Sequence, residues 1–108
     1  MSQFDYLDEV VATIASRVGG DPKTSHVAKL LKKGTPRIAK KVGEEGVELA
    51  LAAVSGDKAH TIAESADLLF HLLVLWQAES IAPAAVMEAL RAREGVSGIA
   101  EKAARNEE

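Results

Sequence analysis

Residues 64–76 read Glu-Ser-Ala-Asp-Leu-Leu-Phe-His-Leu-Leu-Val-Leu-Trp, and this stretch decides the fold. Positions 68–70 and 72–76 are all apolar, so a helix here is apolar around most of its circumference. A helix of that kind has to be buried on all sides. In a chain of 108 residues, one subunit has few other helices with which to cover it. We therefore expect a helical bundle built around this segment, and a homodimer in which a second subunit supplies part of the cover.

Upstream of this stretch, apolar spacing and helix-breaking residues predict three helices. The first covers residues 2–18 and stops at a Gly-Gly-Asp-Pro sequence. Ser25 is expected to cap a short second helix that ends at Gly34. Thr35-Pro36, a capping residue followed by proline at the first helical position, is expected to open a long third helix that runs to about Val54.

Downstream of these, Asp57 is expected to cap the fourth helix, which runs to about Glu79, and Pro83 opens a fifth. The polar segment 96–108 is expected to be a flexible tail or a helix that docks on the bundle. No stretch alternates between apolar and polar residues, so no strands are predicted. The fold class is therefore all-α, with residues 1–108 forming a single domain of four to five helices.

Composition narrows the class of protein further. The chain has no Cys, which excludes disulfides and thiolate zinc sites and is typical of a reducing compartment. Its net charge is −3 and it has only two Phe, one Tyr and one Trp, which argues against nucleic acid as a partner. The first five residues lack the pattern of a signal peptide, and the longest apolar stretch, 66–76, is too short to span a bilayer. We expect a cytoplasmic protein without a membrane partner.

Two acidic clusters interrupt helices that otherwise have the pattern of buried helices. Glu44, Glu45 and Glu48 lie in the predicted third helix, and Glu64 and Asp67 in the fourth. Residues three or four apart share a helix face, so Glu45 points with Glu48, and Glu64 with Asp67. Carboxylates are rarely buried unless they are paired or bind metal. Ligand sets made only of oxygen atoms select hard cations such as Mg²⁺ or Mn²⁺. We therefore predict a site for one of these ions whose ligands are Glu45, Glu48, Glu64 and Asp67. The alternative is a solvated acidic face.

Histidines and glycines near the acidic clusters bear on how this site is interpreted. His71 shares a face with Asp67 and either supports the carboxylates or is a satisfied core histidine. His60 lies four residues before Glu64. Gly43 and Gly46 either allow a ligand or a second backbone to approach closely or are tolerated inside the helix at a cost of about 1 kcal/mol each. A ferritin-like di-iron site is disfavoured, because no Glu has a His three residues later.

A group of basic residues precedes the acidic clusters. Lys and Arg pair with phosphate through charge-assisted hydrogen bonds, and a basic surface beside a metal site suits a metal–polyphosphate substrate. The alternative is a solvated charged face. The candidate phosphate-binding residues are Lys29, Lys32, Arg37, Lys40 and Lys41.

Four segments of this sequence resemble the phosphoribosyl-ATP pyrophosphatase family: residues 24–31, residues 40–48, residues 64–71, and the ending 93–105. The broader superfamily of all-α nucleoside triphosphate pyrophosphatases shares only the two acidic motifs, so the additional segments narrow the resemblance. It covers about residues 4–105. It implies an all-α fold, a Mg²⁺ requirement, a dimer, and the second step of histidine biosynthesis.

The resemblance also implies a reaction, the hydrolysis of phosphoribosyl-ATP to phosphoribosyl-AMP and pyrophosphate. The candidate catalytic residues are Glu44 and Glu45. Glu44 would be a further metal ligand or the general base, and Glu45 would act as a metal ligand. Two rival interpretations remain. One is a housecleaning pyrophosphatase that acts on free or damaged nucleoside triphosphates, and the other is a non-enzymatic helical dimerisation module.

Overall fold

The computed structural model describes residues 2–94, and this part of the chain is helical throughout, without a strand. The predicted all-α class and the five helices are confirmed. A 3₁₀ turn over Gln3–Asp5 precedes the first helix. The helices are α1 (Tyr6–Ser16), α2 (His26–Lys33), α3 (Thr35–Ser55), α4 (Lys58–Ala78) and α5 (Pro83–Arg91). The predicted tail, residues 96–108, lies outside the described residues.

Side-chain caps fix the starts of α2 and α4 where the sequence predicts them. The Ser25 hydroxyl accepts a hydrogen bond from the Ala28 amide at 3.1 Å, and the Asp57 carboxylate accepts one from the His60 amide at 3.0 Å. Each bond satisfies one of the free amides in the first turn of a helix. Gly56 follows α3 with φ +79°, a left-handed conformation that favours glycine, so the chain reverses there into α4.

The start of α3 differs from the prediction. Thr35 does not cap the helix but is its first residue, and Gly34 takes the capping position with φ +87°. This glycine lets the chain turn one residue earlier, and its carbonyl oxygen accepts from the Ile38 amide at 3.2 Å. The Thr35 hydroxyl is thereby released to donate to Glu79 Oε2 at 2.9 Å, which ties the start of α3 to the end of α4.

The core lies where α1 and α2 pack on the long antiparallel pair α3 and α4. Its buried side chains come from all four helices: Ile14, Leu30, Ile38, Leu73 and Val74. At positions 68–70 and 72–76 of α4, only Leu69 is exposed, and the other apolar side chains are buried or half-buried. Three helices of the same chain therefore cover more of α4 than its pattern alone indicates. No single helix among residues 2–94 is long and apolar enough to cross a membrane, although α4 and α5 would pass that test jointly across a 112° bend.

Gly43 and Gly56 offer a matched pair of substitutions in and after the same helix. A Cβ at Gly43 would meet no described atom within 4 Å, and the backbone there is ordinary helix, so Gly43→Ala should raise the free energy of unfolding by about 0.5–1 kcal/mol. Gly56→Ala should lower it by about 1–2 kcal/mol, because a Cβ is strained at positive φ. Urea unfolding measures both. If Gly43→Ala lowers stability or activity instead, a ligand or second backbone approaches that glycine.

Candidate metal centre

Three of the four predicted metal ligands meet between α3 and α4. One carboxylate oxygen from each of Glu45, Glu48 and Glu64 lies within 4.8 Å of the other two. The turn at Gly56 folds α4 back along α3, and the three-residue spacing of Glu45 and Glu48 turns both towards α4. Glu45 and Glu64 are half-buried, whereas Glu48 is exposed. The group is therefore open to solvent on one side.

Two oxygens of this group are buried without a partner. Oε2 of Glu45 and Oε2 of Glu64 have no hydrogen-bond donor among the described residues. A buried carboxylate oxygen that has lost water and gained no donor is costly. Oxygen donors of this kind suit a hard divalent cation, which would take the place of the missing donors. The donor set therefore fits Mg²⁺ or Mn²⁺.

The surroundings of Glu45 perturb its titration. The pKa of Glu45 is raised above its ordinary value, first because burial disfavours its charge, and then because the protonated acid can hydrogen-bond to Glu64. The negative charges of Glu64 and Asp67 raise this pKa further, and His71 opposes them. Without a cation, Glu45 thus retains its proton to a higher pH than an ordinary glutamate, which is the usual response of a partly buried carboxyl beside like charges.

Asp67, the fourth predicted ligand, lies beside this group rather than in it. Its side chain is exposed and does not join the three carboxylates that lie within 4.8 Å of one another. Its charge nevertheless contributes to the raised pKa of Glu45. Glu44 is also exposed and outside the group, and it lies about 100° around α3 from Glu45.

His71 is buried behind the carboxylates. Its Nδ1 lies 2.8 Å from the Asp67 carbonyl oxygen, and since that oxygen can only accept, Nδ1 carries the proton. This bond satisfies one ring nitrogen, as a core histidine requires. The ring also partly offsets the rise in the pKa of Glu45, and its role as a support for the carboxylates stays a prediction. Phe70 packs edge-on against it, with ring centroids 5.1 Å apart.

The predicted phosphate-binding residues fall into two sets. Lys29 and Lys32 line a depression of about 680 Å³ on and beside α2 that no carboxylate lines. Its other lining residues are Pro22, Lys23 and Lys33. Arg37 and Lys40 are exposed on α3. Lys41 is half-buried and lies four residues before Glu45 on α3. Residues at this spacing are neighbours on one helix face, so Lys41 is the predicted phosphate-binding residue closest to Glu45 along that face.

One contact of the site has no counterpart in the sequence-based predictions. His60 Nε2 lies 3.2 Å from Glu64 Oε1, across one turn of α4. The spacing of four residues was the available signal, since it puts both side chains on one face of a helix. The spacing alone could not show that the two side chains adopt rotamers that bring them into contact.

Known proteins are similar to this chain over most of its length. Residues 7–94 match the family described as Phosphoribosyl-ATP pyrophosphohydrolase. A relative named Phosphoribosyl-ATP pyrophosphatase from Azospirillum brasilense is 59% identical over 99 residues, which cover 92% of this chain and 89% of the relative. Relatives of the same name from Parvibaculum lavamentivorans and Novosphingobium aromaticivorans are 55% and 51% identical over 106 residues, covering 98% of this chain and 94% and 99% of the relatives. This chain belongs to the phosphoribosyl-ATP pyrophosphohydrolase family.

Proposed function

We propose that this protein hydrolyses phosphoribosyl-ATP between the α and β phosphorus atoms, giving phosphoribosyl-AMP and pyrophosphate in the second step of histidine biosynthesis. The observation that carries the proposal is the convergence of three carboxylates with two buried, unpartnered oxygens in a member of this family. We propose further that residues 1–108 act as one domain.

In this proposal Glu45, Glu48 and Glu64 hold Mg²⁺, or Mn²⁺ in its place, and Asp67 completes the set. When bound, the cation supplies charge neutralisation at the phosphate oxygens and lowers the pKa of water in the site. The two half-buried ligands, Glu45 and Glu64, are held by packing between α3 and α4, and the exposed Glu48 lies on the open side. The substrate would approach from that side.

The remaining residues bind charge or move a proton. Lys41 and Lys40 lie on α3 within one turn of Glu44 and Glu45, and Arg37 lies one turn earlier, so all three can offset charge on a polyphosphate. Lys29 and Lys32 are proposed to bind a more distant phosphate of the same substrate. Glu44 is exposed next to the ligands, and this position suits either of two roles, a further ligand or the base that accepts a proton from the attacking water.

The two rival functions have less support. A dimerisation module with solvated carboxylates does not explain why Oε2 of Glu45 and Oε2 of Glu64 are buried. A housecleaning pyrophosphatase would share the acidic motifs, but the family match over residues 7–94 favours phosphoribosyl-ATP as the substrate. Of the segments that narrow the resemblance to this family, the part of the ending over residues 95–105 lies outside the described residues.

Pyrophosphate release from phosphoribosyl-ATP, ATP and dUTP tests the proposed substrate. We expect kcat/KM for phosphoribosyl-ATP to exceed that for ATP by about two to four decades, because a second ribose phosphate adds about two charged contacts of about 1.5–3 kcal/mol each. Excess EDTA should abolish the activity. Glu48→Gln should remove most turnover while leaving the fold intact, since this side chain is exposed. Equal rates on phosphoribosyl-ATP and ATP would favour the housecleaning function, and activity in EDTA would exclude the metal.

The raised pKa of Glu45 predicts how the metal-free protein responds to pH. Just above the ordinary value of 4.5, the folded protein keeps a proton that the unfolded chain has released, so the free energy of unfolding falls as pH rises through this window. Glu45→Gln has no proton to lose there. It should flatten this dependence and make the metal-free protein more stable at pH 7. Urea unfolding in EDTA at pH 5 and pH 7 measures the effect.

Glu44→Gln is the control for this measurement, because Glu44 lies exposed on the same helix and outside the carboxylate group. It should leave the pH dependence of stability close to that of the wild type. If Glu45→Gln and Glu44→Gln change the dependence equally, general charge reduction and not the pair Glu45 and Glu64 is responsible.

A homodimer is also part of the proposal, and an exposed apolar face of α3 supports it. Val47, Leu51 and Val54 are three or four residues apart and are 61%, 65% and 88% exposed, and Ile62 of α4 is 70% exposed. Side chains of this size rarely form a contiguous exposed row on a monomer. A second subunit seated there would remove them from water, so we place the dimer contact on α3 rather than on the largely covered stretch of α4.

Leu51→Lys tests this contact. Because Leu51 is exposed within one subunit, a lysine there should leave each subunit folded while dissociating the dimer. Leu90→Lys is the matched control, since Leu90 is similarly exposed at 60% but belongs to α5 and not to α3. Sedimentation should show a folded monomer for the first variant and a dimer for the second. A folded wild-type monomer at micromolar concentration would exclude the dimer.

A further inference from the structure

We propose that His60 is a positioning residue that holds one oxygen of Glu64 so that the other oxygen is presented to the cation. This inference rests on the proposed metal site. It concerns a side chain that does not itself belong to the group of three carboxylates.

The contact has a defined direction. His60 Nε2 and Glu64 Oε1 are 3.2 Å apart, and since an ionised carboxylate can only accept, the imidazole donates from Nε2. The two oxygens of Glu64 are thereby made different. Oε1 is occupied by the histidine, and Oε2 is buried without a partner beside Glu45. The oxygen left for a cation is the one on the side of the other carboxylates.

The histidine is itself held in place by the start of α4. Asp57 caps the helix, and its Oδ1 accepts a hydrogen bond from the backbone amide of His60 at 3.0 Å. The ring then reaches one turn forward to Glu64, a separation at which helical side chains are neighbours. A continuous path of contacts thus runs from the cap, through the histidine, to the ligand. The cap fixes the backbone of His60, and the ring fixes the rotamer of Glu64.

Fixing this rotamer matters because a free glutamate loses side-chain entropy when it binds a metal. That loss is among the larger ones for side chains. A hydrogen-bond partner that orders the ligand beforehand reduces it, and partners of this kind around metal sites typically change metal affinity 10–100-fold. His60 is 53% exposed, so solvent weakens its contact and we expect the low end of that range.

The experiment compares His60→Ala, which removes the donor, with His60→Gln, whose side-chain amide can still donate across one turn. Mn²⁺ binding to the substrate-free protein, followed by electron paramagnetic resonance at one fixed pH, should give a dissociation constant about tenfold higher for His60→Ala. His60→Gln should recover most of the affinity. Lys58→Ala, in the same first turn of α4, is the matched control and should bind Mn²⁺ as the wild type does.

Two further measurements separate positioning from a general structural role. The thermal midpoint of the metal-free protein should be the same for wild type and both His60 variants, because an exposed pair across one helical turn adds little stability. In turnover, His60→Ala should need a higher Mg²⁺ concentration for half-maximal rate and regain most of the wild-type kcat at saturation.

Three results would overturn the inference. Unchanged Mn²⁺ affinity in His60→Ala would make the contact a surface ion pair without consequence for the site. Equal losses in His60→Ala and His60→Gln would mean that the imidazole binds the cation directly instead of positioning Glu64. Absence of Mn²⁺ binding to the wild type would remove the metal site, and with it both this inference and the proposed mechanism.

Discussion

The mutual repulsion of Glu45, Glu48 and Glu64 is the constraint on which the rest of the structure depends. Their oxygens lie within 4.8 Å of one another, and two of the oxygens are buried without donors. Left alone, such a group favours separation of the helices that carry it or the uptake of a proton. The fold opposes separation with a core that all of α1 to α4 build. In the proposed metal site, the same unrelieved charge would supply the affinity for a cation.

Much of this arrangement could be predicted from the sequence because its determinants are local. Ser25, Asp57 and Pro83 act within one helical turn, and the helices begin where these residues predict. The convergence of Glu45, Glu48 and Glu64 was predictable for a related reason. The three-residue spacing of Glu45 and Glu48 fixes a shared face within α3. Partial burial of Glu64 in α4 requires its carboxylate to face a partner.

What sequence could not predict depends on contacts between distant residues or on rotamers. Thr35 was expected to cap α3, but its hydroxyl meets Glu79, 44 residues away, after Gly34 has taken the cap. The apolar run in α4 indicated a helix needing outside cover, whereas α1, α2 and α3 cover most of it. Val47, Leu51 and Val54 of α3 are more exposed than any residue of that run. Spacing puts Asp67 on the same helix face as Glu64, yet its side chain is exposed and outside the group. The ends of exposed lysines are not fixed by the backbone at all.

The register between α3 and α4 connects the core to the site. Sliding one helix past the other by one residue shifts its side chains by about 1.5 Å and, with the rotation that accompanies each residue, turns them by about 100°. Such a slip would carry Glu64 away from Glu45. The register is held at one end by the short turn at Gly56, at the other by the hydrogen bond between Thr35 and Glu79, and between them by the packing of Ile38 against the core. These contacts lie outside the carboxylate group, yet they determine whether the three carboxylates face one another, and so whether the proposed cation site can form.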